Sequence, residues 1–174
     1  MPEILKTKNG FTIIEVITVL VILGILVAVA VSRVNNYNLE VYTGADVLKT
    51  HLRYAQTEAM NKNPDAGETI MGINYDAGTN KYWMFQGTST SSIILLPDDS
   101  KYVTSDRKID LTAKKIKFGS GFTIYFDNYG IPYTAYTSSI SNTLLADVLT
   151  VVISSPDGSF SESITITPLT GFIP

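Results

Sequence analysis

The chain has 174 residues, 45% of them hydrophobic, with 16 acidic side chains against 13 basic ones, a single histidine and no cysteine. That length suits one ordinary domain, and a net charge of −3 gives no electrostatic case for nucleic-acid binding. The absent cysteines exclude disulfides and thiolate metal sites, and His51 alone lacks the partners that a His-based catalytic or metal site needs.

The first element follows a short basic leader. Lys6 and Lys8 precede Gly10, and from Phe11 an apolar run extends to Val31 with Glu15 as its only charge. At 1.5 Å per residue the run is roughly 31 Å long as a helix, which matches a bilayer core. No further cation occurs until Arg33, so the positive-inside rule keeps the leader cytoplasmic and sends the remainder outward. A charge in such a segment costs roughly 2.5–3.5 kcal/mol at the centre of a membrane helix, which singles out Glu15. Three readings compete. One is a secretory signal cut at Ala28-Val29-Ala30, against which the apolar run is too long. Another is a plain anchor with an incidental Glu. The third is a leader removed in front of a hydrophobic segment that stays in the mature chain.

Lys8-Asn9-Gly10-Phe11-Thr12-Ile13-Ile14-Glu15-Val16 resembles the class III signal of type IV pilins and pseudopilins: a basic leader ending in Gly, then Phe-Thr and a Glu at fixed spacing. The stretch from Val19 to Val31, with Gly24, Ala28 and Ala30, is similar to that family's membrane segment. The resemblance implies that a prepilin peptidase cuts after Gly10 and methylates the new amino group of Phe11. It places Glu15 at the fifth mature position, where the family uses it for assembly. It further implies a bacterial inner-membrane subunit, N-terminus cytoplasmic and head periplasmic, that joins other pilins or pseudopilins through an assembly platform. Many relatives carry a proline near the position of Ser32, and this chain does not.

The next predicted element is the continuation of the same helix. No proline occurs between Phe11 and Asn63, and Val41, Ala45, Leu48, Leu52, Ala55 and Ala59 recur at alternating spacings of four and three, a one-sided apolar stripe. Asp46, Lys49, Arg53 and Lys62 occupy the opposite face. Asn63-Pro64 is a natural stop, so 11–62 reads as one helix, with Gly44 and Asn35-Asn36 as places where it bends. After Pro64 the texture changes to short runs of Val, Ile, Tyr, Phe and Thr between turn residues. Strands are expected at 68–74, 81–86, 93–96, 116–118, 122–126, 133–136, 148–154 and 161–167, with hairpin turns at Asp76-Ala-Gly-Thr-Asn80 and Ser155-Pro-Asp-Gly158. The expected fold is α+β: a long N-terminal helix on a mainly antiparallel sheet, or two small sheets. The organisation is a leader at 1–10, a transmembrane or filament-core helix at 11–31, an amphipathic helix at 32–62 and a β-rich head at 63–174.

Three head segments resemble the minor pseudopilin group GspH/FimT. They are Leu52-Arg-Tyr-Ala55-Gln-Thr-Glu58-Ala59 with Asn63, where Gln56 replaces the usual Arg; Ile124-Tyr-Phe-Asp-Asn-Tyr-Gly130; and the closing Ile164-Thr-Ile-Thr-Pro-Leu-Thr170-Gly171, which lacks the Arg that usually follows. The resemblance implies a minor subunit of type II secretion or of a type IV pilus. No cofactor or catalytic residue is expected. Asp127 and Asn128 beside Gly130, and Asp98-Asp99, have the oxygen chemistry of calcium ligands but no EF-hand spacing, and read as turn residues. The alternative from another class is an exported β-rich binding domain whose signal peptide is cleaved after Ala30.

Overall fold

The computed structural model describes residues 10–33, 37–62, 70–97 and 101–174. The chain divides into two compact units, Met1–Asn36 and Tyr37–Pro174.

In the first unit Thr12 precedes helix α1, Ile13–Arg33. Every side chain from 10 to 29 is exposed. A helix that is apolar all round has no face for water, and among the described residues of this unit nothing covers it. Among the described residues no helix is long and apolar enough to cross a membrane. The part of α1 described side chain by side chain, 13–29, rises about 26 Å, against roughly 30 Å for a hydrocarbon core.

The second unit opens with α2, Tyr37–Met60. Ten strands follow: β1 (Met71–Asp76), β2 (Lys81–Gln86), β3 (Ile93–Ile94), β4 (Ile109–Asp110), β5 (Lys117–Phe118), β6 (Phe122–Phe126), β7 (Pro132–Ser138), β8 (Ser141–Leu144), β9 (Leu149–Ser154) and β10 (Ser161–Ile166). One sheet runs β3-β2-β1-β6-β7-β8, with β4 also paired to β2; the other runs β10-β9-β5. Every pairing is antiparallel, so the α+β class expected from the sequence is the class observed.

The apolar stripe of α2 holds this unit together. Val41, Ala45, Leu48, Leu52, Ala55 and Ala59 are all buried, and they pack in one core with Ile73, Ile124 and Phe126 of the larger sheet and Val151, Ile153, Ile164 and Ile166 of the smaller. One helix face therefore covers both sheets. Each fully buried Leu or Ile there contributes roughly 1.5–3 kcal/mol.

Both expected turns are hairpins. In the first, Asn80 takes the left-handed conformation (φ 51°) and the Asp76 carboxylate accepts from Gly78 N–H at 2.9 Å and Thr79 Oγ1 at 2.7 Å. In the second, Asp157 accepts from Ser155 Oγ at 2.6 Å and from Ser159 N–H and Oγ. Those bonds hold its carboxyl down at about 2.

The structure adds two strands to the sequence reading, and several expected features lie outside the described residues. The predicted helix over 11–62 contains both α1 and α2, and 34–36, with the Asn35-Asn36 pair, lie outside the described residues. Helix α2 runs unbroken through Gly44, and a Cβ there would collide with Ile116 Cδ1. The missing side chain gives Ile116 its place in the core. Asn63-Pro64, the start of the strand expected at 68–74, and Asp98-Asp99 also lie outside the described residues. Strands β4 and β8 were not expected, because neither has an apolar alternation to betray it.

Candidate functional site

The sequence-predicted site residues sit together at the start of α1. Gly10 is exposed, and a Cβ built on it would meet nothing within 4 Å. Phe11 is 84% exposed. Thr12 is the helix N-cap: Glu15 N–H donates to Thr12 Oγ1 at 3.3 Å and to Thr12 O at 3.1 Å, and Val16 N–H donates to Thr12 O at 3.3 Å. Thr12-Ile-Ile-Glu15 is thus the Thr-x-x-Glu pattern of a capping box, with Glu15 at the third helical position. Sequence reasoning passed over that signal although the spacing is plain in the chain. Its consequence is electrostatic, since a carboxylate in the first turn lies at the positive end of the helix dipole.

Phe11, Glu15 and Val19 recur every four residues and, with Val16 and Leu20, line a shallow groove of about 310 Å³. Thr18, the next polar side chain, satisfies itself by donating to Ile14 O at 2.8 Å. The Glu15 carboxylate has no hydrogen-bond or ion-pair partner among the described residues. The site is therefore one unpartnered acceptor on an apolar, exposed helix, one turn from Phe11. Chemically it can receive a cation; it has no nucleophile or general base beside it.

Two buried polar side chains of the head are hydrogen-bonded within it. His51 is buried, with Nδ1 2.9 Å from Tyr82 Oη and Nε2 3.3 Å from Pro97 O. Asp127 is also buried, and both its oxygens are used. Oδ1 accepts from Tyr129 N–H and Ile131 N–H, each at 2.9 Å, and Oδ2 accepts from Tyr133 Oη at 2.9 Å. These bonds tie it into its own turn. Burial and the adjacent Asp127 carboxylate push the Tyr133 phenol up to about 12. A cavity of about 300 Å³ beside α2 is lined by Leu39, Glu40, Thr43, Gly44, Val47, Tyr102 and Lys114.

Gln56 marks a second convergence. Its Nε2 donates to Gly130 O at 2.9 Å and to Thr170 O at 3.0 Å, while Arg53 donates from Nη2 to Ile173 O at 2.7 Å. The three head segments singled out in the sequence, far apart along the chain, meet at this one amide. Gly130 (φ 77°) and Gly171 (φ 60°) both occupy the left-handed region. A Cβ at Gly171 would stand 2.6 Å from Gln56 Nε2 and 2.8 Å from Gly130 O, so only glycine lets these turns close on the helix.

An exposed apolar helix with a capped start and one carboxylate in its first turn defines a chain built to associate through its N-terminus. Residues 5–31 match the family model of the prokaryotic N-terminal methylation motif. The chain is thus type IV pilin-like at its N-terminus, a motif that implies processing by a prepilin peptidase and assembly with other pilins as a structural subunit. No curated protein and no solved structure matches the chain.

Proposed function

We propose that this chain is a minor pilin or pseudopilin of a bacterial type IV filament, of the GspH/FimT group, serving type II secretion or a type IV pilus. The observation that carries the reading is the Glu15 carboxylate, without a partner among the described residues, one turn from Phe11 on an apolar helix whose described side chains are all exposed. A prepilin peptidase cuts after Gly10, which is exposed among the described residues, and methylates the amine it leaves on Phe11. The apolar run from Phe11 through Val31, roughly 31 Å as a helix, holds the subunit in the inner membrane as a single pass, with its head in the periplasm. The assembly platform then moves it into the filament.

Glu15 gives that step its register. An incoming subunit is offset along the filament axis, so the carboxylate of one chain meets the Phe11 amine of another. At ~4 Å and an effective dielectric of ~20 the pair recovers about 4 kcal/mol. Removing one partner of a buried pair costs about 3–5 kcal/mol, because the other is stranded. Convergence of the three head segments on Gln56 supports the GspH/FimT assignment. The Glu15 carboxylate also argues against the extreme tip position, whose type II secretion counterpart generally lacks it.

The test is Glu15→Ala in cells. The variant is expected to be cleaved after Gly10 as efficiently as the parent yet to be nearly absent from sheared filaments. Normal incorporation would remove the charge-pair mechanism.

A further inference from the structure

Glu40 Oε2, in the first turn of α2, is closed off from solvent and has no hydrogen-bond partner among the described residues. A carboxylate oxygen buried in that state is costly, and a donor brought to it recovers the cost. Glu40 lines the cavity of about 300 Å³ beside α2, at the lower end of the roughly 300–1,000 Å³ of small-molecule pockets. The wall contributed by the loops after β3 is cationic. Lys114 Nζ, which also lines the cavity, lies 4.9 Å from the centre of the Tyr102 ring, and Lys101 Nζ lies 5.3 Å from the same centre. The backbone behind these side chains is fixed. Asp110 N–H donates to Tyr102 O at 3.0 Å, Val103 bridges Ile109, and the Asp110 carboxylate accepts from Thr112 N–H and Ala113 N–H in the turn before Lys114. Those bonds exist before any ligand arrives, so the wall needs little ordering on binding.

Charge selects the occupant. A buried acceptor on the helix and ammonium groups on the loops fit a zwitterion that carries a protonated amine and an anion. The amine must bring an N–H to Glu40 Oε2, which a primary ammonium does and a quaternary one cannot. The anion meets lysine ammoniums, which bind phosphate as point charges. The rest of the cavity is apolar: Leu39 and Val47 line it, Leu39 is 67% exposed and Tyr42, beside it on α2, is 57% exposed. An open leucine next to an amphipathic ring suits the boundary between headgroups and acyl chains. Leu39 is six residues beyond Arg33, the end of α1, so the intervening chain spans at most about 20 Å whatever the arrangement of the two units. That tether keeps the pocket within reach of the surface of a membrane that holds α1.

We propose that this pocket takes the phosphoethanolamine headgroup of a membrane phospholipid, its ammonium donating to Glu40 Oε2 and its phosphate facing Lys114 and Lys101. The proposal rests on the proposed function, which sets the head beside a bilayer. The test is native mass spectrometry of the detergent-solubilised full-length chain with equal amounts of phosphatidylethanolamine and phosphatidylcholine of identical acyl chains. Adhesion to the apolar helix is common to both lipids, so the ratio retained reports the headgroup site. The parent is expected to favour the ethanolamine lipid about fivefold, the discrimination of one charge-assisted hydrogen bond. Glu40→Leu removes the buried acceptor, so it is expected to bring the ratio to about one while keeping or raising the melting temperature. Lys114→Gln is expected to lower the ratio as well, and decides by the same criterion where Glu40→Leu does not fold. Soluble phosphoethanolamine is expected to displace the lipid only in large excess; displacement at equal concentration overturns the bilayer as its source. Equal retention of the two lipids by the parent, or an unchanged preference in the folded Glu40→Leu chain, overturns the proposal and leaves the proposed function standing. A mature chain that begins at Val31 removes the proposed function and, with it, the bilayer as the source of the ligand.

Discussion

Two side chains show how much a single group decides in this molecule. Gln56 donates to two carbonyl oxygens from loops 40 residues apart, Gly130 O and Thr170 O. Gln56→Ala leaves both without that donor and is expected to cost about 1–3 kcal/mol. Gln56→Glu, nearly the same shape, points a carboxylate at two oxygens and is expected to cost more than the alanine variant. Urea unfolding of the solubilised chain checks the order. Tyr133 supplies a pH dependence. Its phenol is neutral in the fold, buried and donating to Asp127, and its pKa is raised to about 12 from an ordinary value near 10. A group whose folded pKa lies above its unfolded one contributes stability that is fully present below about pH 10 and is lost as pH rises through about 12. Unfolding at pH 8 and pH 11 is expected to show that loss in the parent chain and a smaller one in Tyr133→Phe.

At the scale of elements, α2 carries the head because it is the one face common to both sheets. Leu52 is fully buried between them. Leu52→Ala is expected to destabilise the head by about 2–5 kcal/mol, against a few tenths for Asp46→Ala on the exposed face; thermal unfolding followed by circular dichroism measures both. The buried stripe of this helix was legible in the sequence residue by residue, though its ends were not, since an alternating spacing of four and three survives any tertiary context that buries one face. The strands rich in aromatic and apolar residues, β2 and β6, were legible to their end residues. β8 was not, because Ser141-Asn-Thr-Leu144 is exposed throughout and an edge strand with no buried face leaves no period to read. β4 has only two residues. The Thr12 cap was legible in the Thr-x-x-Glu spacing, since Thr12 Oγ1 accepts from the backbone N–H of the same Glu15 whose carboxylate marks the segment. Gln56 was legible only as a departure from the usual Arg; its two carbonyl partners depend on loops that meet in three dimensions.

For the whole molecule, the division at Asn36 separates two physical problems. The head buries its own core and is complete as a fold. The N-terminal unit has an apolar helix whose described side chains are all exposed and a carboxylate with no described partner, and it is satisfied only by lipid or by other helices. That asymmetry is the reason to read the chain as a subunit whose N-terminus exists to be cut, methylated and packed. Mass spectrometry of the mature N-terminus, on protein isolated from its own host, tests this most directly. The account predicts a chain that begins at Phe11 with one methyl group on its amine. A chain that begins at Val31, cut after Ala30 like an ordinary secreted domain, would contradict it.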